Sequence, residues 1–311
     1  MSWILLATIG QFINAIVAFL DKYIVTDEKA LPRPFVYAFY SCLLTGFWVL
    51  IFLLGYIPSL ASLGIPTFSN IQWPTIQVVG MSSLAAYTFF MALVSLYDAL
   101  KRTEAVNVMP VVGAVSAFMS LLLSYLFLED VTLPANFTWG VIVLALGTLL
   151  VAQTIPKRST VINLFHSGLF FALHVIAMKG LFEETSFDDG FFWSRVGLVI
   201  FALSLLLVPV YYEKVTEESK QANLKTVILI IFTKILAGIA AFLLLKATDL
   251  GEVAVVQALD GLKFVFILLI TILFGSFLPQ TTVNADTRPR QVFRQVLYVA
   301  VIAVGYFILF L

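Results

Sequence analysis

Residues 247–261, ATDLGEVAVVQALDG, repeat the plan of residues 99–113, ALKRTEAVNVMPVVG. A constant offset of 148 residues pairs Ala99 with Ala247, Glu104 with Glu252, Val108 with Val256 and Gly113 with Gly261. The same register runs outward to Ala92 with Ala240, Leu96 with Leu244 and Phe118 with Phe266. Self-similarity at a fixed offset marks a duplicated unit, and the chain divides near TIPKRST (154–160) into residues 1–155 and 156–311. The ends of the first helices of the two units correspond as well. FLDKYIV (19–25) stands against IAMKGLF (176–182), with Lys22 matching Lys179.

The solvent for these units is read from composition. Of 311 residues, 61% are hydrophobic and 12% charged, and the mean hydropathy is +1.03. Soluble domains carry about 25% charged residues, so this excess of apolar surface belongs in lipid. Apolar runs near 3–20, 35–54, 76–97, 105–127, 133–152, 160–180, 191–212, 225–246, 251–276 and 292–311 give ten candidate spans, each about the length that crosses a bilayer core. Backbone groups in lipid must pair within their own segment, so the expected fold is all-α. Five spans per unit is an odd number, so the second unit enters the membrane from the opposite side to the first. Inverted repeats of that kind build alternating-access carriers, with the site at their interface near the midplane. MSWILLATIG (1–10) has no basic stretch before its apolar run and is expected to be a retained helix. A single cysteine, Cys42, leaves no internal disulfide and no cysteine metal cluster.

Orientation follows from lysine and arginine. Thirteen of the eighteen fall in alternate connections: Lys22, Lys29, Arg33, Lys101, Arg102, Lys157, Arg158, Lys214, Lys220, Lys225, Arg288, Arg290 and Arg294. The intervening connections hold Lys179 and Lys246 beside the acidic FEETSFDDG (182–190). The bias predicts the first set in the cytoplasm and both termini on the far side.

This arrangement of two five-helix units resembles the drug/metabolite transporter superfamily, and within it the EamA-type ten-helix carriers. The likeness rests on LDKYIV (20–25), ALKRTEA (99–105) and SYLFLEDVTLPANFTWGVIVLALGTLLV (124–151). It implies a bundle with a central cavity between the repeats that moves small metabolites, often outward, across the plasma (bacterial inner) membrane, as a monomer or homodimer. The second unit departs from the family pattern. Ala258 stands where the first repeat has Pro110, and FGSFLPQTTVNADTRPR follows span nine in place of an acidic turn.

Three charges belong to one unit only. Asp260 aligns with Val112, Lys263 with Val115 and Lys234 with Ala86. All three fall near the middle of their spans, where an ionised side chain costs at least about 2.5–3.5 kcal/mol. Asp260 and Lys263, at i and i+3, share a helix face and are expected to pair. Two readings stand side by side: a sealed pair that holds two spans in register, or one wall of a water-filled cavity. Two lysines against one aspartate leave a positive charge for an anionic or zwitterionic substrate. Asp260 is also the candidate for proton coupling, because burial and a neighbouring ammonium act on a carboxylate in opposite senses.

Arg195, His174, Gln11, Asn14, Tyr40 and Tyr87 complete the candidate substrate-binding set, each a polar group inside an apolar run. His166 and His174 lie about 80° apart around one helix, the wrong geometry for a shared metal. Asp21 and Lys22 are placed at a helix end, and Gly140 and Gly147 on one face where a neighbouring helix approaches closely. No phosphate loop, zinc-protease motif or nucleophile–base arrangement occurs in a plausible setting, and no cofactor, metal or nucleic acid is implied. The expected function is a secondary carrier rather than an enzyme, for a small amino acid or organic acid. A lipid-flipping protein and a structural or regulatory membrane subunit remain as alternatives.

Overall fold

Each apolar run closes its hydrogen bonds within its own segment. In this computed structural model, residues 2–26, 33–61, 65–103, 105–128, 134–151, 158–221, 223–274 and 289–309 are described, and among them there is no β-strand. The α-helices are α1 (Ser2–Thr26), α2 (Pro34–Gly46), α3 (Pro58–Ala61), α4 (Ile76–Arg102), α5 (Ala105–Phe127), α6 (Ala135–Val151) and α7 (Arg158–Glu184). They continue with α8 (Phe187–Leu205), α9 (Pro209–Gln221), α10 (Leu224–Leu250), α11 (Val253–Ala258), α12 (Leu262–Phe274) and α13 (Pro289–Ile308). Six described helices are long and apolar enough to cross a membrane, or seven if the bent pair α8 and α9 is one span. The acidic turn at 129–133, the break at 152–157, the loop at 275–288 and Glu104 lie outside the described residues.

The molecule is turned inside out relative to a soluble protein. Leu5, Ile9 and Phe12 on α1, Leu122 and Leu126 on α5, and Ile228, Ile231, Phe232 and Ile235 on α10 face outward. Asp21, Lys22, Arg195, Lys234 and Lys263 are buried. Apolar faces outward and charges inward is the arrangement lipid demands. The chain is an integral membrane protein.

Four helix boundaries differ from the sequence expectation. α1 runs to Thr26, past the expected end near residue 20, so Asp21 and Lys22 lie within the helix. The second span is α-helical only to Gly46 and continues as a 3-10 helix over Phe47–Tyr56. α8 begins at Phe187, because the Ser186 side chain accepts the Asp189 N–H and two aspartates occupy its first turn. It ends at Leu205, and α9 leaves at 97° after Pro209, which cannot donate to a continuing helix. The ninth span is the fourth case, broken by a 3-10 turn over Leu259–Gly261 between α11 and α12. The break falls in the unit without the proline, while α5 runs through Pro110.

Packing follows a regular scheme. α1 lies along α10, α4 along α7, α6 along α13, and α2 against α8, while α11 crosses α5. Gly140 faces Leu309 and Gly147 faces Ile302, so the predicted close approach is between α6 and α13 of the same chain.

The two ends of the bundle differ in charge. One gathers the end of α1, the start of α2, the end of α4 and α9, where Arg33 pairs with Glu217 and Glu218. At the other end Asp188 and Asp189 hold the connector before α4 through Thr67, Asn70 and Gln72. Trp3 packs on Gly251 there, and Asn136 donates to the Leu309 carbonyl, so both described chain ends lie at this acidic end. A lysine serves each end. Lys22 Nζ donates to the Leu100 and Thr103 carbonyls at the end of α4 (2.7 and 3.1 Å). Lys179 Nζ donates to the Asp249 and Gly251 carbonyls at the end of α10 (3.2 and 3.5 Å). A cation on the last turn of a helix satisfies carbonyls that lack intrahelical donors and opposes the helix dipole.

Candidate functional site

The broken helix sets the centre of the site. The 3-10 turn at Leu259–Gly261 sets Asp260 about one turn before Lys263, the second residue of α12. Lys263 Nζ donates to both carboxylate oxygens, at 2.7 and 2.9 Å. Gly113 of α5 faces this carboxylate so closely that an added Cβ would lie 2.5 Å from Asp260 Oδ2. Next to the break, Ser116 donates to Gln257 Oε1 at 2.9 Å and ties α5 to α11.

Asp260 and Lys263 border a cavity of about 220 Å³, whose walls come from α1, α2, α4, α5, α7, α8, α10, α11 and α12. Seven of the residues singled out from sequence line it: Gln11, Asn14, His174, Arg195, Lys234, Asp260 and Lys263. Two do not. Tyr40 bonds Ser219 of α9 at the basic end, and Tyr87 faces outward with its ring against Phe170 and Phe201.

Lys234 is not the unmatched charge that the sequence suggests. Its Nζ donates to Asp21 Oδ1 at 2.9 Å and to the Tyr97 hydroxyl at 3.0 Å, and sits 4.2 Å from the centroid of the Tyr37 ring. The Tyr37 hydroxyl donates to the same aspartate oxygen, and Tyr97 meets Ser41 at 3.1 Å. Asp21, read from sequence as a helix-end anchor, is therefore a member of the cavity's charge network. The register that this pair fixes is between α1 and α10.

Arg195 holds the unmatched charge. It is 2% exposed and lies two turns inside α8. Its guanidinium carbon is 4.7 Å from the Phe191 ring centroid, and Nε makes one long hydrogen bond, 3.4 Å, to Ser194 Oγ. Among the described residues no carboxylate pairs with it. His174 stands nearby with Nδ1–H donating to the Ala85 carbonyl at 2.9 Å, which leaves Nε2 of the neutral ring as an acceptor. The described lining residues thus set three cations against two carboxylates and retain one positive charge.

No protein-family model matches the chain, and no curated protein matches it. Among solved structures, 28 chains match. One, described only as "Crystal structure of protein", has 14% sequence identity and a TM-score of 0.62 over 98% of this chain and 98% of its own. At that identity the likeness concerns the fold alone, and it extends along the whole length of the chain.

Proposed function

We propose that this protein is a secondary carrier of the drug/metabolite transporter type, built from two oppositely inserted five-helix units. Its cargo is a small anionic or zwitterionic metabolite, moved by alternating access through the central cavity. One observation carries the reading: the cavity contains a buried cation, Arg195, with no carboxylate partner among the described residues. A residue of that kind inside a membrane bundle marks a solute path by default.

The packing scheme supports the architecture. Exchanging the units turns the α1–α10 contact into the α7–α4 contact and returns α6–α13, α2–α8 and α5–α11 to themselves. The lysine caps obey the same exchange. Thr103 and Gly251, whose carbonyls Lys22 and Lys179 hold, are 148 residues apart, which is the repeat offset. A broken helix at the repeat interface is a recurrent way to present charge to a solute.

The test is uptake of labelled amino and organic acids into liposomes containing the purified full chain. The expected result is saturable flux of at least one solute, lost in Arg195→Gln. Absence of flux for every solute would remove the carrier reading. Asp260 is the proposed proton-coupling group, so Asp260→Asn is expected to abolish the dependence of flux on an imposed pH gradient. Unchanged rate and pH dependence would end that role.

A second reading has one observation in its favour. An apolar groove of about 380 Å³ between the 3-10 helix Phe47–Tyr56 and α10 reaches Lys234 from the bilayer side. Lipid translocation by reconstituted protein, in the absence of any soluble flux, would favour a flippase.

A further inference from the structure

Charge pairing inside the cavity narrows the ligand beyond "anionic or zwitterionic". Both oxygens of Asp260 already accept from Lys263. Asp21 Oδ1 accepts from Lys234 and from Tyr37. Each carboxylate among the described lining residues is already neutralised by a lysine, so an amino acid's ammonium would find only Asp21 Oδ2 to accept it and would add to a lining already in positive excess. A carboxylate meets the opposite situation. The Arg195 guanidinium has two terminal nitrogens that, among the described residues, donate to nothing. Its stacking on Phe191 offsets part of the cost of burial and leaves the planar fork open to a carboxylate.

The surroundings of Arg195 decide the rest of the molecule. Leu198 follows one turn along α8, and Phe89 and Phe171 border the same cavity, with Phe89 5.0 Å from the His174 ring and 6.3 Å from Phe171. These side chains offer no group for a second charge and suit an aromatic or branched aliphatic body. At about 220 Å³ the space is below the range of roughly 300–1,000 Å³ typical of drug-sized ligands.

We infer that the cavity takes a small monoanion with an apolar body and no ammonium group, and that Arg195 is its anion ligand. This rests on the carrier reading for its biological sense, though its test does not depend on flux. Equilibrium binding to the purified full chain is measured for two matched pairs: 3-phenylpropanoate with L-phenylalanine, and 4-methylpentanoate with L-leucine. Each acid is expected to bind at least about tenfold more tightly than its amino acid, the scale of one charge-assisted hydrogen bond.

Arg195→Gln is expected to weaken the acids by about tenfold or more without changing the amino acids. Arg195→Lys, which keeps the charge if the glutamine variant fails to fold, should retain part of the affinity. Equal or tighter binding of the amino acids, acid binding indifferent to both substitutions, or no binding of either acid would each overturn the inference. Acid-selective binding without flux in liposomes would uphold the ligand class and remove only the carrier reading. Flux of amino acids in preference to the acids would do the reverse.

Discussion

Lys234 and Asp21 tolerate the interior because each supplies what the other lacks. Removing one partner of a buried pair leaves an uncompensated charge, a loss of about 3–5 kcal/mol, whereas an apolar replacement of both is often neutral. Asp21→Asn alone is therefore expected to lower unfolding stability in detergent by about that amount. The Asp21→Leu/Lys234→Met double variant should recover most of the loss while leaving the cavity without this charge network. A double variant that loses as much as the Asp21 and Lys234 changes made singly and added together would mean that the two residues act independently. At this scale the sequence was informative wherever a polar side chain interrupted an apolar run: Gln11, Asn14, His174, Arg195, Lys234, Asp260 and Lys263 all border the cavity. Tyrosine was a poor guide, since an amphipathic ring suits a helix end, a lipid face or a pocket alike, and Tyr40 and Tyr87 lie elsewhere. Asp21 was missed because a charge beside Lys22 reads as the end of a span. Nothing local announces that its partner sits on a helix 213 residues away.

Of the ten spans expected from hydropathy, six or seven are described helices long and apolar enough to cross a membrane, and the interruptions were not legible from it. A hydropathy window registers oiliness and is blind to winding, so the 3-10 turn at Leu259–Gly261 and the change of winding after Gly46 left no mark in it. The bend after Leu205 did have a sign, Pro209 ahead of the charged stretch that becomes α9. α9 lies at the basic end, outside the long apolar helices, and joins α2 through Glu218, whose Oε1 accepts the Arg33 N–H at 2.8 Å. Burial pushes the Glu218 carboxyl above its ordinary value of 4.5, against the downward pull of the Arg33 N–H and the charges of Arg33 and Lys101. Between the unfolded value and the raised folded one, the folded state binds more protons than the unfolded state. Stability therefore falls as pH rises through that window and is flat on either side. Glu218→Gln keeps the acceptor and removes the titration, so its stability is expected to stay level from pH 4.5 upward while the parent declines. A parent that gained stability over the same interval, or a variant that declined in parallel, would contradict this assignment.

The whole molecule is organised by the distribution of charge between its ends. With Cys42→Ala as background, Ser69→Cys and Glu213→Cys place thiols at exposed positions at the acidic and basic ends. A membrane-impermeant maleimide added to intact cells is expected to label the first and to reach the second only after permeabilisation. Labelling of both from one side would remove the inserted topology. The shared plan of residues 99–113 and 247–261 was readable because matched glycines and carboxylates are rare in such sequences. A cavity was expected, but the pairing of side chains inside it was not legible, because it joins helices far apart in sequence.

Where α5 meets the 3-10 turn Leu259–Gly261, Asp260 Oδ2 occupies the volume that a methyl group at position 113 would claim. The acid and any residue larger than glycine there are rival tenants of one space. A carboxylate at 260 thus favours glycine at 113. A side chain at 113 would require the Asp260 carboxylate to swing aside and give up part of its pairing with Lys263.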